Sequence, residues 1–123
     1  DEKYSYRINK EDNSVEIIAY LKNDMENLEV PETIDGLAVT SLGEASFAYH
    51  EELKSVKMPK TINTIKMAVF GSCVNLKKVY FPEDIATIDD WAFGDFTGTV
   101  VTVKDYNLYN FAKSNGVMVE DLK

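Results

Sequence analysis

The sequence has little of what most chemistry needs. Its 123 residues hold one cysteine, Cys73, and one histidine, His50. A single cysteine excludes any disulfide within the chain, and with one histidine it argues against a His/Cys metal cluster. Positive charge is scarce as well: 13 Lys and Arg stand against 21 Asp and Glu, a net charge of −8. Phosphate backbones and anionic bilayers both select concentrated positive charge, so neither nucleic acid nor a lipid surface is an expected partner. No apolar run approaches the roughly 18 residues of a membrane-spanning helix, so insertion by this segment is not expected. No N-x-Ser/Thr glycosylation acceptor occurs, and the chain begins at Asp1 without a leader pattern, as a mature secreted form or a trimmed one would. What is present is ordinary for one folded domain: 45% apolar and 28% charged residues, in a chain long enough to bury a real core.

The chain repeats itself. Residues 53–75 (LKSVKMPKTINTIKMAVFGSCVN) and 76–98 (LKKVYFPEDIATIDDWAFGDFTG) align without gaps and share nine of 23 positions. The shared pairs are Leu53/Leu76, Lys54/Lys77, Val56/Val79, Pro59/Pro82, Ile62/Ile85, Thr64/Thr87, Ile65/Ile88, Phe70/Phe93 and Gly71/Gly94. Upstream, Met25, Leu28, Val30, Pro31 and Ile34 fit the first half of the unit, and Leu42 and Phe47 the second. Five additional residues between Ile34 and Leu42 surround Asp35-Gly36, a turn signal. Downstream the unit decays after Gly98, where Val101 and Val103 replace Val79 and Phe81 if one residue is dropped.

Each unit opens with a short alternating strand, Val56-x-Met58 or Val79-x-Phe81, stopped by Pro59 or Pro82. Ile62-x-x-Ile65 and Ile85-x-x-Ile88 bring the chain back, and Phe70 or Phe93 plugs the interior before a glycine-led turn. One 23-residue unit cannot cover so many apolar side chains. Stacked copies can, as a coil with parallel strands and a continuous core, and the repeat length suits a leucine-rich repeat. The open ends of such a stack need caps. Residues 4–8 and 15–21 alternate around the turn-rich Asn9–Ser14 and predict a β-hairpin. At the other end Asp105 is placed to cap a short helix carrying Leu108, Phe111 and Ala112, ended by Gly116 and followed by a strand over Val117–Val119. The expectation is a single domain: an N-terminal hairpin cap over 1–24, repeats over 25–98 and a C-terminal cap over 99–123.

With these residues in place the chain resembles the BspA-like leucine-rich repeat family. Its unit is similar to L-x-x-V-x-φ-P-x-x-I-x-x-I-x-x-x-A-F-x-x-C-x-x, where φ is apolar. Leu76, Val79, Phe81, Pro82, Ile85, Ile88, Ala92 and Phe93 match it, as does the stretch from Leu53 to Phe70, with Cys73 at the family's cysteine. Residues 30–47 resemble the family's usual first unit and Tyr109–Val119 its terminal cap. His50 and Phe96 replace the cysteine in the flanking units, Ser46 and Val69 replace the alanine before Phe, and Gly98 or Thr99 stands where the next leucine is due. The resemblance implies an α/β leucine-rich-repeat solenoid, strand-dominated, a short right-handed coil of about three repeats. It also implies a secreted or cell-surface bacterial protein that acts in adhesion or recognition.

Catalytic residues, a metal and a cofactor are not expected. Cys73 and His50 occupy core slots, the latter as a packed or backbone-bonded ring, and Asp89-Asp90 and Glu51-Glu52 are read as solvated charge. Binding surface remains. Two outward ladders are predicted on the strands: Glu29, Lys57, Tyr80, Thr102, and Asn27, Ser55, Lys78, Val100. Tyr80 between Lys57 and Lys78 is a candidate contact for a protein or a glycan. Trp91 holds the slot of Ala45 and Ala68. It either stands out as an exposed aromatic or covers the rim of the core, and the size of the indole favours the rim. The expected function is non-catalytic recognition of a host or matrix protein by a monomer through the sheet face and loops. A structural spacer and a carbohydrate-binding module beside an enzyme are the alternatives.

Overall fold

A computed structural model describes all residues 1–123. The predicted hairpin is formed by β1 (Tyr4–Asn9) and β2 (Ser14–Tyr20), paired antiparallel with a bulge between Ser5 and Tyr6. The coils follow. β3 (Asn27–Glu29), β6 (Ser55–Lys57) and β8 (Lys78–Tyr80) carry the first half of each unit. β5 (Leu37–Leu42), β7 (Thr64–Ile65) and β9 (Thr87–Ile88) carry the second. β4 (Thr33–Ile34) turns back on β5 through Asp35-Gly36, both at positive φ, so the extra residues form a tight hairpin. The chain closes with β10 (Thr99–Thr102), α1 (Asn107–Ser114) and β11 (Met118–Asp121).

Two sheets result. One runs β1-β2-β5-β7-β9 with β4 beside β5, and the other β11-β10-β8-β6-β3. The repeat pattern predicts one strand per unit, with Ile62 to Ile65 only returning the chain. In fact Thr64–Ile65 and Thr87–Ile88 pair in parallel and make a second sheet. Two-residue strands are too short to display a period of two, so pattern alone missed them.

In the inner ladder Leu28, Val56, Val79, Val100 and Val119 stand in register, facing Ile17, Leu42, Ile65 and Ile88 of the other sheet. One continuous cluster of 28 buried residues joins both ends of the coil, so the molecule has a single core. Within it an aromatic chain runs from cap to cap. Tyr4, Tyr20, Phe47, Phe70, Phe96, Phe93 and Phe111 follow one another at centroid separations of 5.4 to 6.4 Å. Such pairs add about 0.5–1.5 kcal/mol each beyond the area they bury.

Two expectations about the C-terminal region need correction. The outer ladder is Glu29, Lys57, Tyr80, Val101, not Thr102, and Lys78 lies beside Thr99, not Val100. The chain cuts its corner at Gly98, where a Cβ would sit 2.5 Å from the Leu76 carbonyl oxygen, and so loses two residues from the repeat rather than one. Val100 therefore takes the place of Val79's successor in the core, and Thr102 turns inward and donates its hydroxyl to Phe81 O at 2.9 Å. Nor does Asp105 cap the helix. The N-cap residue is Tyr106, which makes no side-chain cap bond. Asp84, from the preceding coil, accepts from the backbone N–H groups of Asn107 (2.8 Å) and Leu108 (3.0 Å) instead. A carboxylate there satisfies two orphan donors of the first turn.

Candidate recognition surface

The inward slots behave as core. Cys73 is buried and its thiol donates to Phe47 O at 2.9 Å. Burial pushes its pKa up, which removes the thiolate a reactive cysteine needs. His50 is half-buried against Tyr20, with Nε2 2.9 Å from Tyr20 O and Nδ1 2.8 Å from the Glu52 carboxylate. No group of three or more His, Cys, Asp or Glu side chains is arranged to hold a metal ion, and no helix is long and apolar enough to cross a membrane.

Three of the four candidate contact residues meet on the outer face of the β11-β10-β8-β6-β3 sheet. The Lys57 ammonium lies 5.7 Å from the centre of the Tyr80 ring, a cation–π contact between neighbouring strands. Lys78 is drawn aside by Glu120 of β11, 3.0 Å away, and is not a free donor beside Tyr80. Val101, next in register after Tyr80, is buried. The face is therefore a half-covered sheet with one lysine–tyrosine pair at its centre.

Trp91 lies elsewhere, and it does not cover the rim of the core. It is 69% exposed. The reason is in the turn. Ala45 and Ala68 hold this slot at positive φ and donate their N–H to the next coil, to Met67 O and Trp91 O. The third coil has no such neighbour. Trp91 leaves the left-handed region, where a bulky residue is disfavoured, and its N–H turns to the Asp89 carboxylate at 2.8 Å. Asp89 is thus a local cap rather than merely solvated charge.

Other large apolar side chains stand in the same relation to the repeat, among them Met67, 39% exposed where Glu44 and Asp90 occupy the corresponding slots. Tyr49 is 79% exposed where Ser72 and Asp95 occupy the corresponding slots, and Val74 is 61% exposed where Glu51 and Thr97 do. Sequence comparison of the units holds this signal, because a large apolar residue in a slot that accepts Ser, Asp or Glu is not there for the core. A wide groove of about 680 Å³ runs beside β3 at the N-terminal end, but Lys3 and Lys22 face Asp1, Glu2 and Glu29 across it, so no single sign of charge selects a ligand.

The comparisons with known proteins agree with this architecture. No curated protein matches the chain. Among solved structures it is similar to a leucine rich cell surface protein from Faecalibacterium prausnitzii, at 23% identity and a TM-score of 0.67, over 84% of this chain and 29% of that one. It is also similar to a leucine rich repeat protein of T. pallidum, at 15% identity and a TM-score of 0.57, over 80% of this chain and 68% of that one. The chain thus spans less than a third of the length of the first. Residues 12–115 match the BspA type leucine rich repeat region in six copies, a span that reaches from the hairpin through α1. The chain belongs to the BspA-type leucine-rich repeat family.

Proposed function

We propose that the domain is a non-catalytic recognition module of a secreted or cell-surface bacterial protein, and that it binds a protein partner through its coil loops and the Lys57–Tyr80 sheet face. The observation that carries this reading is the exposure of Tyr49, Val74 and Trp91 in slots that other coils fill with small or polar residues. The fold does not require them, and large exposed aromatic residues are the side chains that anchor protein interfaces. Membership of a repeat family and likeness to a cell-surface protein support the location.

The test is a binding screen of the folded domain against extracellular-matrix proteins and a glycan array, with Tyr80→Ala and Trp91→Ala alongside. Saturable binding to a protein, weakened at least about tenfold in either variant, is the expected result. Binding to glycans alone would replace this reading with a carbohydrate-binding module. Absence of any binding by the folded domain would replace it with a structural spacer.

A further inference from the structure

The indole of Trp91 forms one wall of a small pocket between the third coil and the C-terminal cap. Asp90, Phe93, Gly94, Phe111, Asn115 and Val117 complete its lining, and its volume is about 140 Å³. That is below the roughly 300–1,000 Å³ of sites that enclose a whole small molecule. It is of the size to take one side-chain head. The pocket is rigidly backed. Trp91 O accepts from Ala68 N–H and Gly94 N–H at 2.9 and 3.0 Å, Trp91 N–H is held by Asp89, and the Phe93 and Phe111 rings pack at 6.4 Å.

Its polar lining is one-sided. The Asp90 carboxylate has no hydrogen-bond or ion-pair partner within the protein, although the carboxylates on either side of it in sequence, Asp84, Asp89 and Asp95, all accept bonds. The Asn115 side-chain nitrogen donates one of its two N–H groups to Phe111 O at 2.8 Å, which leaves the other N–H and the amide oxygen to be used. No Lys or Arg lines the pocket. Apart from the indole N–H and one Asn115 N–H, the site offers acceptors and aromatic faces. A planar guanidinium is well served: it carries five donors and no acceptor, stacks on aromatic faces and pairs with a carboxylate. The net charge of −8 favours the approach of such a cation.

We infer that the Trp91–Asp90 pocket captures an arginine side chain of a partner protein, with the guanidinium on the indole face and its donors on the Asp90 carboxylate. This rests on the reading of the domain as a protein-recognition module and names the chemistry of one of its contacts.

Trp91 is the only tryptophan, so its indole N–H resonance and its fluorescence report on this pocket alone. The probe is a short glycine-flanked arginine peptide, capped at both ends, titrated beside the same peptide with citrulline in place of arginine. Citrulline keeps the shape and removes the charge. The expected result is a saturable shift of the indole resonance by the arginine peptide, at least about tenfold weaker with citrulline and similarly weakened in Asp90→Asn, as loss of a charge-assisted hydrogen bond implies. Glu2→Gln removes one charge far from the pocket and should leave the shift intact. Equal responses to the two peptides, an unchanged response in Asp90→Asn, or no saturable shift would overturn the assignment. Failure here with protein binding intact in the screen sinks the pocket alone. A normal arginine response with no protein bound in the screen sinks the recognition reading instead.

Discussion

The hairpin at the N-terminal end and the β10–α1–β11 segment at the C-terminal end close the same kind of opening by different means. The hairpin continues one sheet, adding β2 beside β5 and β1 beyond it, and leaves β3 as the edge of the other. The C-terminal segment continues the second sheet, adding β10 and β11 beside β8, and leaves β9 as the edge of the first. Each cap thus extends one sheet, with β1 and β11 as the new outermost strands, and the uncapped edges β3 and β9 lie at opposite ends of the coil. Both are short, three residues at β3 and two at β9, which limits the template offered to another chain. The caps also differ in what fastens them. The hairpin is stapled by aromatic packing of Tyr4 and Tyr20 on Phe47 and by Glu16, which takes Arg7 at 2.8 Å and Lys66 at 2.7 Å across its sheet. The C-terminal cap is held by burial of Val100, Leu108 and Ala112, by the Thr102 bond to Phe81 O, by bonds from the helix start to one carboxylate, Asp84, and by one aromatic contact between Phe93 and Phe111. Both ends are closed by burial, and they differ in what is added to it: an aromatic cluster and a bridging carboxylate at the hairpin, a carboxylate bonded to the helix start at the C-terminal cap.

The comparison breaks most sharply at the aromatic chain. Phe47 is fully buried and touches Tyr4, Tyr20 and Phe70, whereas Phe93 keeps slight exposure and touches Phe96 and Phe111. Within the range of about 3–5 kcal/mol for removing a buried Phe, Phe47→Ala is expected near the top and Phe93→Ala near the bottom, read by urea denaturation. Equal losses would mean that the two ends are fastened alike.

The joints come next. Gly43, beside the hairpin, and Gly98, at the entry to the C-terminal cap, each leave room for a carbonyl that an added Cβ would approach to 2.5 Å, Ile17 O and Leu76 O respectively. Gly43→Ala and Gly98→Ala should each cost about 1–3 kcal/mol by overpacking. Hydrogen exchange should rise in the adjoining cap and stay unchanged in the distant one.

Smaller effects separate the two fastenings. Asp84→Ala should cost about 0.5–2 kcal/mol, as loss of a helix cap does, with faster exchange at Asn107 and Leu108 and no change in the hairpin. For Glu16, burial alone would raise the carboxyl pKa, but hydrogen bonds from Lys66 and Arg7 outweigh it and hold it below the ordinary value. A depressed folded pKa adds stability above the unfolded value of 4.5, and that stability is lost as pH falls through the folded one. The melting temperatures of wild type and Glu16→Gln should differ at neutral pH and converge in acid below that value. A difference that persists in acid would place the effect in packing rather than charge.

Sequence made the repeat, the hairpin, the core slots and the buried Cys73 legible, because each leaves a local mark: a 23-residue period, an alternation, an apolar residue in register. The features it hid depend on distance along the chain. Asp84 caps a helix whose first residue lies 23 positions away, and no local pattern joins them. The two-residue strands at Thr64–Ile65 and Thr87–Ile88 exist only because neighbouring coils pair with them. The register at β10 depends on how tightly Gly98 passes the Leu76 carbonyl. Trp91 was misplaced for a different reason. Its size argued for burial, while its slot, set by Ala45 and Ala68, faces outward. The slot was the better guide, and it also picks out Tyr49 and Val74.

The central claim is that these three side chains are surplus to folding and therefore free for recognition. It is tested most directly by giving each slot the residue its neighbour coil already holds there, in one variant carrying Tyr49→Ser, Val74→Glu and Trp91→Ala, and measuring its unfolding free energy in urea. A stability within about 0.5 kcal/mol of wild type is expected, as for surface positions outside the core. A loss of about 2 kcal/mol or more would contradict the account, because these side chains would then belong to the fold and not to a partner.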